Sequence, residues 1–167
     1  MFRTIADFEY HWAQELEATQ KVFKHMTDKS LAQQVSPGGR TLGRLAWHIC
    51  QSIPDSLRRM GLAVPGPDRL DPVPATSREI FRAYNETAIA ALETVRKEWT
   101  DATLDIRDEM FGQMWTRGFS LAALMKHQIH HRAQMTVLMR QAGLAVPGVY
   151  GPAREEWAKI GMSEPAI

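Results

Sequence analysis

Four stretches of the chain place apolar residues at steps of three and four, the spacing that gathers a stripe on one face of an α-helix. The first spans about 4–26, with Ile5, Phe8, Trp12, Leu16, Thr19, Phe23 and Met26 on the stripe. Thr4 and Asp7 resemble a capping box in which Asp replaces the usual Glu. The second spans about 41–60, marked by Leu42, Leu45, Ile49, Ile53, Leu57 and Met60. Pro54 lies inside it and predicts a kink near 51–54, because Pro lacks a backbone donor and crowds the preceding turn. The third opens on a capping box, Thr76-Ser77-Arg78-Glu79, and runs to about Trp99 along Ile80, Phe81, Tyr84, Ala88, Ala91, Leu92 and Val95. The fourth covers about 118–142, with Leu121, Leu124, His127, His131, Met135, Leu138 and Met139 on one side.

The intervening segments carry the breakers. Residues 27–40 end in Ser36-Pro37-Gly38-Gly39, and 61–75 hold Pro65, Pro67, Pro72 and Pro74. This second connector is stiff, extended and long enough to cross the end of a bundle. Residues 100–117 read as a polar, irregular connector, and the tail after Gly143 as loop with one turn near 155–160. Gly-Leu-Ala-Val-Pro-Gly occurs twice, at 61–66 and 143–148, each time closing a helix. A shared stop signal explains it: a left-handed Gly, a Leu packing back and a Pro that forbids continuation. Four amphipathic helices with few β-type runs predict an all-α four-helix bundle, a single domain over 1–167, with a long Pro-rich crossover between helices 2 and 3.

Composition narrows the class. The 167 residues hold 44% hydrophobic and 23% charged side chains, enough for a core. Twenty Lys and Arg against 19 Asp and Glu give a net charge of +1, which leaves no electrostatic footprint for nucleic acid or an anionic membrane. One Cys cannot form an internal disulfide, and a reducing, cytoplasmic setting is the expectation. No run approaches the roughly 18 apolar residues of a membrane span. The N-terminal stretch mixes acids with apolar residues and does not read as a signal peptide.

Chemistry enters with the histidines. His127 and His131 are four apart, so their imidazoles share a face one turn apart, a spacing suited to chelating one metal. Both lie on the apolar stripe, where ring nitrogens need partners. The competing explanation is a pair of core histidines satisfied by hydrogen bonds. His48, on the inward side of the second helix between Leu45 and Ser52, supplies a third imidazole from a helix that can face the fourth. Three neutral nitrogens with a coordination position left open resemble a catalytic more than a structural metal centre. Such a site keeps the ion's double charge and favours an anionic further ligand.

Neighbouring residues refine this. Gln128 stands where a zinc peptidase helix needs the Glu of HExxH. No E-x-x-H pair exists for a di-iron carboxylate site. His130 is rotated about 100° from His131 and reads as a surface or supporting residue. Gln134 can orient a ligand ring or be a partly buried polar residue. Cys50 reads as a small buried residue, His11 and His25 as surface histidines, and Tyr84 as a core ring with its hydroxyl near the bundle centre.

Leu42-Gly43-Arg44-Leu45-Ala46-Trp47-His48-Ile49 resembles the second-helix motif of the DinB/YfiT-like superfamily. His127-Gln128-Ile129-His130-His131-Arg132-Ala133-Gln134 resembles its fourth-helix motif, HxxHHRGQ, with Ala133 in place of the usual Gly. The segment from Val146 to Pro152 resembles the family's stretch just after that helix. The resemblance implies a bundle with a His-triad metal site, its ligands falling on His48, His127 and His131, and a homodimer. It also implies a divalent transition metal (zinc, nickel, manganese or iron) and thiol-dependent transferase or isomerase activity, or hydrolysis.

The function expected is a metal-dependent S-transferase or isomerase. The open site would lower the pKa of a low-molecular-weight thiol that attacks a small electrophilic molecule. Alternatives are a metal-dependent hydrolase and a non-catalytic metal- or ligand-binding bundle, such as a sensor or stress-response module. The substrate is expected to be a small molecule, with no nucleic-acid and no membrane partner. Substrate-facing residues are expected on the first and third helices and the connectors.

Overall fold

The structure, a computed structural model, describes residues 1–166; Ile167, the last residue of the expected domain, lies outside the described residues. Its main elements are α1 (Ile5–Lys24), α2 (Leu42–Arg59), α3 (Ser77–Glu98) and α4 (Arg117–Gln141), with strands β1 (Arg107–Met110) and β2 (Gln113–Thr116) between α3 and α4. Each helix starts where a threonine caps it. Thr4, Thr41, Thr76 and Thr116 are extended and accept from the backbone N–H three residues on. At Thr76 the box is reciprocal, with Glu79 reaching back to the cap N–H.

The stripes define the core. Phe8, Trp12 and Phe23 of α1, Leu42, Ile49, Ile53 and Leu57 of α2, Ile80, Tyr84 and Val95 of α3 and Leu121, Met135 and Met139 of α4 are all buried. Helix α1 packs on α3 and α4, and α2 packs on the same two, so the order around the bundle is α1, α3, α2, α4. Consecutive α1 and α2 are diagonal, which requires long connections. The crossover over 61–76 instead joins the neighbours α2 and α3. Its Asp71 carbonyl accepts from Trp47 Nε1 (3.1 Å) and Gln51 Nε2 (3.2 Å), which fastens it along α2. Helix α2 continues through Pro54, whose buried ring lies where the crossover passes. A Cβ on Gly66 would stand 2.8 Å from Thr87 of α3 and 3.1 Å from Pro54, so only Gly fits this approach.

Both copies of the repeated hexapeptide are helix stops of one kind. Gly61 (φ 81°) and Gly143 (φ 75°) are left-handed, and their N–H groups bond Arg58 and Arg140 carbonyls. Leu62 and Leu144 donate to the carbonyls of Leu57 and Met139, each at 2.9 Å. These are Schellman motifs, with the following leucines packed back on the core.

The connector over 100–117 is more ordered than its composition indicates. A 3-10 turn (Asp101–Asp105) leads into an antiparallel hairpin in which Arg107 pairs with Thr116 and Met110 with Gln113. Phe111 (φ 55°) and Gly112 (φ 80°) form its two-residue turn, both left-handed as a tight hairpin requires. The hairpin rests on α2 and α4 through buried Met110 and is tied down by the Arg117–Asp108 ion pair (2.8 Å). The fold is thus an all-α bundle carrying one small two-stranded sheet. The tail forms the expected turn, as a 3-10 helix over Arg154–Ile160.

Candidate metal centre

Helices α2 and α4 are neighbours, and their inward faces bring His48, His127 and His131 together. His127 Nε2 lies 3.1 Å from His48 Nε2 and 3.1 Å from His131 Nε2. One nitrogen from each ring falls within 4.8 Å of the others. Residues His48 and His127 are half-buried and His131 is 7% exposed. Their spacing on α4 comes from the helix itself, since residues four apart stack one turn above the other.

The surroundings fix the protons in part. Gln134 Oε1 lies 2.8 Å from His131 Nδ1, and an amide oxygen can only accept. Nδ1 of His131 therefore carries the proton, and its Nε2 presents a lone pair to the cluster. The same amide places its Nε2 3.1 Å from His130 Nε2, so the exposed His130 supports Gln134 instead of joining the three rings. Three neutral imidazoles do not satisfy this arrangement alone, because His127 Nε2 faces two other nitrogens and one N–H can point to only one. A cation would accept all three lone pairs, so the donor set fits a divalent transition metal. His127 Nδ1 is buried without a partner among the described residues.

Burial, then mutual repulsion with the other rings and with Arg40, holds His48 and His127 at about 4. Burial also lowers His131, against the opposing bond to Gln134. All three are neutral at pH 7, the form that binds metal.

A cavity of about 680 Å³ opens onto the cluster, with His48 and His127 in its wall. Helices α2 and α4 form its floor. Arg40 and Arg44 stand at one side, Arg69 comes from the crossover, and Met110, Phe111 and Trp115 come from the hairpin. Contrary to the expectation for substrate-facing residues, α1 and α3 contribute nothing to this lining, because both lie across the core from the α2–α4 groove. The connectors do contribute, as expected.

Other residues singled out in the sequence fall away from the cluster. Gln128 is 1% exposed, and its Oε1 accepts from Tyr84 Oη at 3.2 Å. Cys50 is fully buried on the far side of α2, where burial pushes its thiol well above the usual range. His11 and His25 are exposed. One buried group went unread in the sequence. Arg132 pairs with Glu15 at 2.7 Å and donates to Thr19 Oγ1 (2.9 Å) and Tyr150 Oη (2.6 Å), which ties α4 to α1 and to the tail.

Comparison with known proteins agrees with this architecture. The profile of the DinB family matches residues 1–165. YrdA of Bacillus subtilis (strain 168) is 44% identical over 167 residues, the full length of both chains. A crystal structure of a DinB-like protein from Bacillus cereus ATCC 10987 superposes with a TM-score of 0.87 at 45% identity, covering 90% of this chain and all of that one. A second DinB-like protein, YjoA of Bacillus subtilis, shares the fold at TM-score 0.66 and 18% identity, covering 86% of this chain and 96% of its own.

Proposed function

We propose, from the premise that the chain belongs to the DinB family, that it is a metal-dependent enzyme of the thiol-transferase or isomerase type. His48, His127 and His131 hold one divalent transition metal (zinc, nickel, manganese or iron) in a single domain. A low-molecular-weight thiol is the co-substrate and a small electrophile the substrate. The observation that carries this reading is the convergence of three Nε2 atoms at the wall of a cavity large enough for small molecules. A metal at that point supplies positive charge, which lowers the pKa of a thiol brought beside it.

The chain's own residues favour an external thiol. Its single sulfhydryl, Cys50, is sealed in the core, so no side-chain thiol reaches the cavity. Gln128 cannot take a proton and is bonded to Tyr84 in the interior. Asp55, the one carboxylate lining the cavity among the described residues, is paired with Arg59 at 3.4 Å. A hydrolase would need a free base here, and thiol addition does not. Gln134 orients His131 through its Nδ1. The resemblance to the family implies a homodimer, and the single Cys makes a reducing, cytoplasmic setting the expectation.

The test is turnover of a panel of biological thiols with a chromogenic electrophile by metal-loaded protein. Thiol consumption that disappears in His131→Ala supports the reading. Metal binding without turnover of any thiol overturns it in favour of a non-catalytic binding module.

A further inference from the structure

The cavity beside the histidines has a charge that the chain as a whole lacks. Among the described residues, its lining holds four arginines, Arg40, Arg44, Arg59 and Arg69, against the single acid Asp55. The whole sequence, with 20 basic and 19 acidic residues, is nearly neutral. Asp55 is already engaged by Arg59, whose guanidinium also sits 5.2 Å from the Phe111 ring centroid. Among the described residues, Arg40, Arg44 and Arg69 have no carboxylate within ion-pair distance.

Arg44 is held in place. It donates to Gln51 Oε1 at 2.6 Å, and Gln51 is itself bonded to the crossover carbonyl of Asp71. A neutral amide positions the guanidinium without cancelling its charge. Deeper in the same lining, Ser120 is 2% exposed, and its hydroxyl has no partner among the described residues. Uncompensated guanidinium forks around a concave, partly apolar site match the planar or tetrahedral oxygens of a carboxylate or phosphate.

We propose that this cavity is an oxyanion subsite: Arg40, Arg44 and Arg69 take a carboxylate or phosphate group of a small molecule whose other end reaches His48 and His127. The side walls of Phe111 and Trp115 receive its apolar part. The orientation toward the histidines rests on the metal reading above, whereas the anion site stands on the arginines. It names the substrate class of the reaction: an acidic small molecule, as thiol or as electrophile.

Calorimetric titration tests this with succinate, inorganic phosphate and neutral succinamide, using zinc-loaded and metal-stripped protein. Succinate or phosphate is expected to bind and succinamide not to, the tighter of the two identifying the group. Arg40→Gln and Arg44→Gln should each weaken that binding about tenfold, the size of one lost charge-assisted contact. Arg78→Gln, an exposed arginine of α3 outside the cavity, should leave it unchanged. Thermal melting checks that the variants fold, and the exposed Arg40 keeps the test intact where Arg44→Gln is destabilised. Oxyanion binding that persists in metal-stripped His131→Ala supports the subsite even if no metal site exists. Zinc binding accompanied by equal affinity for succinamide, or by no loss in either arginine variant, overturns the subsite and leaves the metal reading standing.

Discussion

The Nε2 atoms of His48 and His127, 79 residues apart in sequence, lie 3.1 Å from one another. The pairing exists because α2 and α4 are adjacent around the bundle although α3 and the hairpin intervene in the chain. His131, one turn further along α4, completes a triangle that hydrogen bonds among neutral rings do not fill. Charged Arg40 and Arg44 stand nearby and help keep His48 unprotonated.

The metal-free protein should lose stability in acid through these rings. His48 and His127 stay neutral in the fold down to about 4, whereas an unfolded histidine takes up its proton near 6.5. Between those values the unfolded chain binds more protons, so stability is present above pH 6.5 and falls as the pH drops toward 4. Urea midpoints of metal-stripped protein should therefore be level above pH 7 and decline below it. The double variant His48→Gln, His127→Gln should show a shallower decline, and equal slopes would contradict the assignment.

Glu15→Gln should be among the most damaging single changes outside the cluster. It leaves Arg132, with a side chain 3% exposed, buried without its counter-charge. Breaking such a pair costs about 3–5 kcal/mol. Tyr150→Phe removes the hydroxyl shared with both groups and should cost about 1–2 kcal/mol. Urea denaturation measures both, and a loss below about 1 kcal/mol for Glu15→Gln would show that the pair is not a structural tie.

Gly143→Ala isolates the helix stop. A Cβ there meets nothing within 4 Å, so the cost is conformational alone, from holding Ala at φ 75°. About 1 kcal/mol is expected. Gly143→Asn should cost less, because Asn tolerates this region. Equal midpoints for wild type and Gly143→Ala would rule out the left-handed stop.

Phe111 occupies a left-handed turn position that suits Asn, yet its ring lies 6.0 Å from that of Trp115 and beneath Arg59. Phe111→Asn should hold or raise the melting temperature while weakening oxyanion binding to the cavity. A large fall in melting temperature would make the ring a structural element of the hairpin instead.

How much of this was legible in the sequence depends on the range of each signal. The four helices are written locally, in stripes and threonine caps, and they lie within a residue or two of their expected limits. The i, i+4 spacing of His127 and His131 is equally local, and His48 was found because it lies on the inward face of its own helix. The hairpin was missed because Arg107, Asp108 and Glu109 hide the strand, and Phe111-Gly112 is not the usual Asn-Gly turn. The arginine cluster was missed for a different reason. Arg40, Arg59 and Arg69 come from a loop, a helix end and the crossover, and only the fold of the crossover along α2 assembles them. The Glu15–Arg132–Tyr150 group likewise joins positions up to 135 residues apart.

The central claim is that the three imidazoles hold one metal ion. Metal analysis of protein purified without an affinity tag or chelator, beside His131→Ala, tests it most directly. About one transition metal per chain in the wild type, absent from the variant and restored to the wild type alone by refilling, is the predicted result. No metal in either protein, with refilling also failing, would contradict it and make the three histidines a structural cluster.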